Sequence, residues 1–574
     1  MKNSVWLLGL FLMSLLAACS DKEVVPNITL ATSSQSTIAF TEENTDPVTV
    51  TFSSTKAWTA ASAATWLSVS PKSGDAGDAI TITISTKSEN TGTSTRTGYI
   101  TLASEGTSLA TITVTQDPKV NYYATFEQST YVIPAEGAER FKLIFTTNCP
   151  ADKIRGFSEA DWIQSCEHTD TRATDATYYF ALDIDENTGS QVRSYNYYVC
   201  KFDGDDSGYE ILSACTITQQ GKNSAPSEDY SADGRVTLLQ AHTEGDGLLL
   251  VLMGDGFTDA DIADGWYNQV MDKAIDNLFS EEPIKSLRNY FDIYQVDVVS
   301  KNNIFGEGYE TALGCTMDSG SSLVEGDDDA VLDYCDKIED VTEKQVMGAS
   351  VVVVLNTNAY GGTTYWGYAI NNKLVELSIA YCPIIYGLDD DEFHGVLVHE
   401  AIGHGFGKLL DEYAYESQGE IPTSGKNDWS IELIQYYQSN NWNMNVDFTT
   451  DTSTVLWHEF LADSRYADEG LGIFEGGATF WTGVYRPSEN SMMRFNDTPF
   501  NAPSRQALYK RVMRDGLGNA DVSYEDFVQF DLAHPYTTSS TLNATTKATK
   551  SRKTFNRRFA APRFVNKEIK LRGR

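Results

Sequence analysis

Basic residues are scarce in this 574-residue chain: 43 Lys+Arg stand against 80 Asp+Glu, a formal net charge of −37. So acidic a surface repels phosphate, which excludes a general nucleic-acid binder. Cysteine is scarce too. There are eight, and no two are spaced CxxC, so a cysteine zinc site or a dithiol redox motif finds no support. Long apolar runs are missing: beyond the first twenty residues none approaches the roughly 20 residues of a membrane helix. What remains is 41% apolar and 11% aromatic, enough to bury real cores and to exclude wholesale disorder. At roughly 100–200 residues per domain, the length predicts three or four domains. The acid is unevenly spread. Residues 541–574 hold eleven Lys/Arg and one acidic residue, Glu568, a tail of +10 on a body of −47.

The chain opens with Lys2 and an apolar run from Val5 to Leu16, too short to span a bilayer. It ends in Leu16-Ala17-Ala18-Cys19, which resembles the lipobox of bacterial lipoproteins. The resemblance implies a signal peptide over 1–18, lipid attachment at Cys19 and a tether over 19–26. Serine after the cysteine implies anchoring in the outer membrane of a Gram-negative bacterium, on its periplasmic or cell-surface face, with the lipid as the only membrane contact. Seven cysteines remain, an odd number, so at least one stays unpaired or pairs between chains. Cys149, Cys166, Cys200 and Cys215 lie close enough to share a domain, as disulfides or as buried thiols.

Residues 27–118 are rich in Thr, Ser and Val in alternating runs such as Val48-Thr49-Val50-Thr51-Phe52 and Ile80-Thr81-Ile82-Thr83-Ile84. Period-two patterning between Gly, Asn and Asp clusters predicts a small β-sandwich. Trp66-Leu67-Ser68-Val69-Ser70-Pro71, Arg96-Thr97-Gly98-Tyr99-Ile100 and Thr113-Val114-Thr115-Gln116 resemble the BACON domain, an immunoglobulin-like module. Trp162-Ile163, Arg193 and Thr216-Ile217-Thr218-Gln219 echo it, which predicts a second, diverged sandwich over 119–222. The BACON resemblance implies glycan contact through these modules. The two tryptophans open apolar runs, however, and so read as core anchors of spacers rather than sugar platforms. Lys222 to Asp233 reads as a linker.

From about Gly234 the pattern turns to alternating strand and helix, with strands at Gly247–Met253, Phe291–Val296 and Ser350–Leu355 and a helix over about 259–279. We place a catalytic domain over 223–540. Its informative segment is His394-Gly395-Val396-Leu397-Val398-His399-Glu400-Ala401-Ile402-Gly403-His404-Gly405-Phe406-Gly407. Two histidines hold a zinc ion, and a glutamate directly after the first polarises water. That is the zincin arrangement, with a departure. The standard motif puts the histidines four apart, whereas His399 and His404 are five apart. On a regular helix five residues overshoot the starting face by about 140°. A π-bulge would restore one face, with Gly403 easing the distortion. A zinc-dependent dipeptidyl peptidase family with HExxGH spacing sets a precedent. His394 reads as a packing residue. The segment resembles metzincins, in which a glycine three residues after the second histidine turns the chain and a third ligand follows. Gly407 fits that glycine, but the ligand position six after His404 is Leu410, which cannot bind metal. The third ligand is therefore read as Asp411, with Glu412 and Glu475 as alternatives. Met493, in Ser491-Met492-Met493, fits the apolar floor of a Met-turn.

Together HEAIGHGFGKLLDEY, LLVLMGDGFT, the Tyr360-Gly361-Gly362 turn and YRPSENSMMR resemble the IgA peptidase family of zinc metalloendopeptidases. The resemblance implies a multidomain chain: two immunoglobulin-like β-sandwiches, then an α/β metzincin-like zinc peptidase domain. It implies hydrolysis of extracellular protein or glycoprotein substrates by metal-activated water, with Glu400 as general base and Tyr485 or Arg486 as oxyanion donor. The acidic clusters Asp255-Asp259-Asp261, Asp327-Asp328-Asp329 and Asp389-Asp390-Asp391 lack EF-hand spacing. They read as solvated loops first and Ca²⁺ sites second. The rival class is a cell-surface glycan-binding or adhesin lipoprotein with an inactive peptidase-like domain. The interleaved Phe555, Phe559, Phe564, Val565 and Ile569 predict that the basic tail, 541–574, packs across the acidic body or onto a second copy.

Overall fold

The computed structural model describes residues 25–41, 46–170, 177–202, 209–318, 321–425, 429–535 and 560–569, without the side chains of 165–170. The lipobox with Cys19, the Cys166 side chain, Phe555 and Phe559 lie outside the described residues. Two compact units emerge, Met1–Asn121 and Tyr122–Arg574.

The first unit is a sandwich. One sheet has strands Ile28–Leu30, Val48–Ser54, Gly77–Thr86 and Leu67–Ser70, and the other is built on Arg96–Ser104 and Thr107–Gln116. Alternation sends Val50 and Phe52 inward against Ile82, Ile84, Ile100 and Ile112. The second unit begins with a similar pair of four-stranded sheets, centred on Ala138–Thr147 and Thr177–Ile184 in one and Arg193–Phe202 and Tyr209–Gln219 in the other.

One polar latch recurs in both sandwiches. The Arg96 guanidinium lies 4.5 Å over Trp66, and Arg193 lies 4.5 Å over Trp162. Arg96 Nε donates to Gln116 Oε1 at 2.9 Å, and Arg193 Nε to Gln219 Oε1 at 2.8 Å. Asn90 Nδ2 reaches the carbonyls of Ser94 and Gln116; Asn187 Nδ2 reaches those of Gln191 and Gln220. Each indole thus has a guanidinium on one face. Arg193→Ala is expected to cost the second sandwich about 1–2 kcal/mol through the lost stack and hydrogen bonds. Urea unfolding followed by tryptophan fluorescence would measure it, with metal content unchanged.

The stretch expected to be a linker is folded instead. Asn223 Nδ2 donates to Asp264 Oδ2 at 2.7 Å, Ser227 Oγ to the Ser300 carbonyl at 2.7 Å, and Tyr334 Oη to Asp233 Oδ1 at 2.8 Å. Its polar residues are partners of the following domain, so composition alone misjudged it. Tyr195 of the second sandwich also stacks on Tyr386 at 5.1 Å.

The central sheet contains β1 (Val236–Gln240), β2 (Leu248–Asp255), β3 (Phe291–Val296), β4 (Ser350–Leu355), β5 (Thr363–Ile370), β6 (Lys373–Leu374) and β7 (Ser378–Pro383). Their spatial order is β1-β3-β2-β4-β7-β5, with β6 pairing the end of β5 on the side of β7. Strands β3, β2, β4 and β7 are parallel; β1 is antiparallel to β3 and β5 to β7. Both faces are covered, so β2 and β4 are unbroken apolar runs. Leu250, Leu252, Val352 and Val354 face one core, while Val251, Met253, Val351 and Val353 face the other. The first core also takes α1 (Trp266–Leu278) and the helix that starts at α2 (Asp391–Leu397). An eighth strand, β8 (Arg563–Glu568), belongs to the basic tail and pairs parallel with the outer edge of β5. Of the two placements expected for the tail, residues 560–569 show packing on their own body, with Lys567 Nζ 2.8 Å from Asp329. Cys149, Cys200, Cys215, Cys315, Cys335 and Cys382 are buried thiols. Burial pushes the Cys200 thiol up to about 12.

Candidate metal centre

The helix carrying the histidines has a well-made start. Asp390 caps it by accepting from the Glu392 amide, and Asp391 and Glu392 place negative charge in its first turn. From Val398 to Phe406 the backbone widens into π-helical turns; Gly407 N donates to the Ile402 carbonyl at 2.7 Å, five residues back. One extra residue per turn brings a five-residue spacing back to one face. His399 and His404 accordingly meet edge to face, with ring centroids 4.6 Å apart.

Gly403 has a different task from the one its sequence position suggested. A Cβ there would run into the Met493 sulfur and lie 2.9 Å from Met493 Cε. The glycine lets the methionine press against the helix under the histidines. Met493 fills the floor with its side chain, and Met492 contributes its carbonyl to His399 Nδ1 at 2.9 Å.

Past the helix, Lys408 adopts a left-handed φ of 51° and reverses the chain. Its ammonium donates to the Glu376 and Gly405 carbonyls, and Arg511 donates to those of Gly405 and Phe406. Two buried basic side chains therefore satisfy the last carbonyls of the helix. Burial, and then Arg511, push the Lys408 amine well below its ordinary value.

The reversal delivers Asp411. Its Oδ1 lies 3.2 Å from both His399 Nε2 and His404 Nε2. His404 Nδ1 is held by the Leu409 carbonyl at 2.7 Å, as His399 Nδ1 is by Met492. Both rings thus donate through Nδ1 and turn Nε2 inward, the tautomer a metal ligand needs. His404 Nε2 and Asp411 Oδ2 are buried and have no hydrogen-bond partner among the described residues. Donor atoms from His399, His404 and Asp411 all lie within 4.8 Å of one another. Two imidazole nitrogens and one carboxylate oxygen are a donor set that suits a divalent metal such as zinc. The local charge agrees. Burial opposes ionisation of Asp411, yet His404 and His399 outweigh it and hold the carboxyl down at about 2. Burial likewise opposes His404⁺, but Asp411 holds that imidazole up at about 9.

The other expected ligands are placed elsewhere. Glu412 accepts from Ser491 Oγ at 2.7 Å, Asn445 Nδ2 at 3.0 Å and Asn501 Nδ2 at 3.0 Å, so it braces the Met-turn. Glu475 is exposed, and its Oε1 accepts from the Gly483 amide. His394 bonds Ser280 Oγ at 2.7 Å.

Glu400 hangs from β5. Thr364 Oγ1 lies 2.8 Å from Glu400 Oε2 and 2.8 Å from the Glu400 carbonyl, so its one proton serves one of them at a time. Burial pushes the Glu400 carboxyl up, against the pull of His404 and His399. Tyr485 sits on strand Thr479–Arg486 with its ring against the main core. Arg486 is spent on the carbonyls of Glu475, Gly476 and Ser488. Tyr413, passed over in the sequence reading, lies close enough to Asp411 and Glu400 for both charges to act on its phenol. Burial first, then the Asp411 charge, with Glu400 adding to it, raise its phenol well above the ordinary value. The signal was available, since residues two apart in a non-helical segment share a side.

Residues 236–466 match the family model described as IgA Peptidase M64, and residues 56–117 match that of BACON, a putative N-terminal binding domain. These are the two families whose motifs the sequence carries, and the first match supports a metallopeptidase. No curated protein matches the chain. Among solved structures, a Bacteroides ovatus GH5 xyloglucanase is 16% identical over 16% of this chain and 19% of its own, with a TM-score of 0.14. A protein of unknown function from Porphyromonas gingivalis W83 is 8% identical over 34% and 99%, at 0.14. Drosophila N-cadherin EC1-4 is 8% identical over 34% and 50%, at 0.22. Scores this low say nothing of fold or function here. Among the described residues no helix is long and apolar enough to cross a membrane.

Proposed function

We propose that the chain is a zinc-dependent endopeptidase with a metzincin-like catalytic domain, in which His399, His404 and Asp411 hold the metal and Glu400 is the general base. The observation that carries this is the pair of buried, unpartnered atoms, His404 Nε2 and Asp411 Oδ2, facing the inward-turned Nε2 of His399. An inert domain gives no reason to keep them. Zinc bound there would supply Lewis acidity and a water of lowered pKa. The chain supplies the rest. Glu400 takes a proton from the attacking water and passes it to the leaving amine; Thr364 fixes Oε2 and leaves Oε1 for that transfer. Tyr413, beside Asp411, donates to the developing oxyanion. The two sandwiches act as spacers between a lipid at Cys19 and this domain.

The test is cleavage of a peptide library by the purified protein, abolished by a chelator and restored by zinc. Tyr413→Phe is expected to lower kcat by about 10²-fold with the metal retained, while Tyr485→Phe leaves kcat nearly unchanged. The reverse ranking would return the donor role to Tyr485.

A further inference from the structure

Strand β5 links the site to the edge of the sheet. Thr364 holds Glu400, and Trp366, two residues on, projects from the same face. Trp366 belongs to an apolar cluster with Leu410, the neighbour of Asp411, and with Tyr437. The outer edge of β5 would present unpaired backbone groups, a template for any extended peptide. Here β8 covers it, with Tyr365 opposite Arg563 and Trp366 opposite Phe564. Phe564 enters the same cluster, its ring 5.0 Å from Tyr437. Room for it comes from Gly367, whose φ is 91° and whose Cβ, if present, would lie 2.8 Å from Phe564 Cζ. On its other face the strand packs Val565 and Ile569 onto the second core, and its remaining side-chain contacts are at the surface. Lys567–Asp329 is a surface ion pair, and Glu568 meets the Asn372 amide at 3.3 Å in an exposed position.

We propose that the groove along β5, with its Trp366–Gly367–Tyr437 pocket, binds an extended peptide through an aromatic side chain, and that residues 563–568 occupy it as an internal competitor. This rests on the peptidase reading for its consequence, but not for its binding. The groove lies on the strand that fixes Glu400. A tethered strand competes at an effective concentration on the order of millimolar, so the resting enzyme favours substrates that offer an aromatic residue and several ladder hydrogen bonds.

The experiment uses full-length, zinc-loaded protein. A fluorescent decapeptide with the sequence of residues 560–569 is titrated against Glu400→Gln and against Glu400→Gln with Phe564→Ala, followed by anisotropy. Binding is expected to be about tenfold tighter to the double variant, and about tenfold weaker when the peptide's own phenylalanine is alanine. Equal affinity for both proteins, with metal content and melting temperature unchanged, would overturn the proposal. Because Phe564→Ala could also loosen the fold, hydrogen exchange on the Glu400→Gln protein gives a second reading. Saturating aromatic peptide should remove protection from residues 563–568; undiminished protection overturns the competitor. In active protein, Phe564→Ala should raise kcat/KM about tenfold, mainly through KM. Binding and exchange as expected without cleavage by any variant would support the groove and count against the peptidase reading alone.

Discussion

Glu400→Gln is expected to keep its metal and lose hydrolysis by about 10²–10⁴-fold, the usual worth of a positioned general base. The amide is nearly isosteric, and its oxygen can still accept from Thr364. What disappears is the ability to take a proton from water. His399→Ala should behave differently, losing metal and activity together, because it removes one of three donors in a site that offers no substitute among the described residues. The pair of variants separates chemistry from metal binding, read by elemental analysis and by peptide cleavage. Stability supplies a second sign. Burial raises the Glu400 carboxyl above its unfolded value, so its ionised form costs stability once the pH exceeds that of the free carboxyl. Glu400→Gln should therefore melt higher than wild type at neutral pH in metal-free protein. A Gln variant that cleaves at the wild-type rate would end the case for Glu400 as base.

Gly403→Ala should be the most damaging small substitution in the site. One methyl group would strike the Met493 side chain from inside a packed floor. Overpacking of this kind costs about 1–3 kcal/mol, and here the strain falls on the π-helical turns that bring His399 and His404 together. Zinc affinity should fall with stability. Met493→Ala alone opens a cavity and is expected to cost about 2–5 kcal/mol. The double variant gives the methyl room, so the two costs should not add, with a coupling of about 0.5–3 kcal/mol in a double-mutant cycle. Additive losses would mean that Met493 does not lie against Gly403 in solution.

Much of this site could be read in the chain. A His-Glu pair and a second histidine five residues on are incompatible with a shared metal on a regular helix, and that arithmetic pointed to a widened turn. The third ligand was legible only as a choice among Asp411, Glu412 and Glu475, because Leu410 stands where the metzincin pattern puts it. The reason for Gly403 could not be read, because its neighbour, Met493, is ninety residues away in sequence. Tyr413 was one tyrosine among 30 until the position of Asp411 made its side of the chain matter. Three strands of the central sheet, β2, β3 and β4, were legible from the sequence, since burial on both faces leaves a continuous signature. Their order, and the pairing of β8 with β5 across nearly two hundred residues, were not. Pairing partners are chosen by packing and edges, which local periodicity does not encode.

The latch shared by the two sandwiches bears on how their sequences can drift apart. Counted back from the closing glutamine, Ile112 and Val114 in the first correspond to Cys215 and Ile217 in the second, all fully buried. Apolar residues of similar size exchange at a cost usually below about 1.5 kcal/mol, so a core can drift one step at a time. Removing one member of Asn–Arg–Trp–Gln instead leaves buried hydrogen-bonding groups without partners, a loss that no single neighbouring change restores. Two copies of one module would then lose the likeness of their cores before the likeness of their hydrogen bonds.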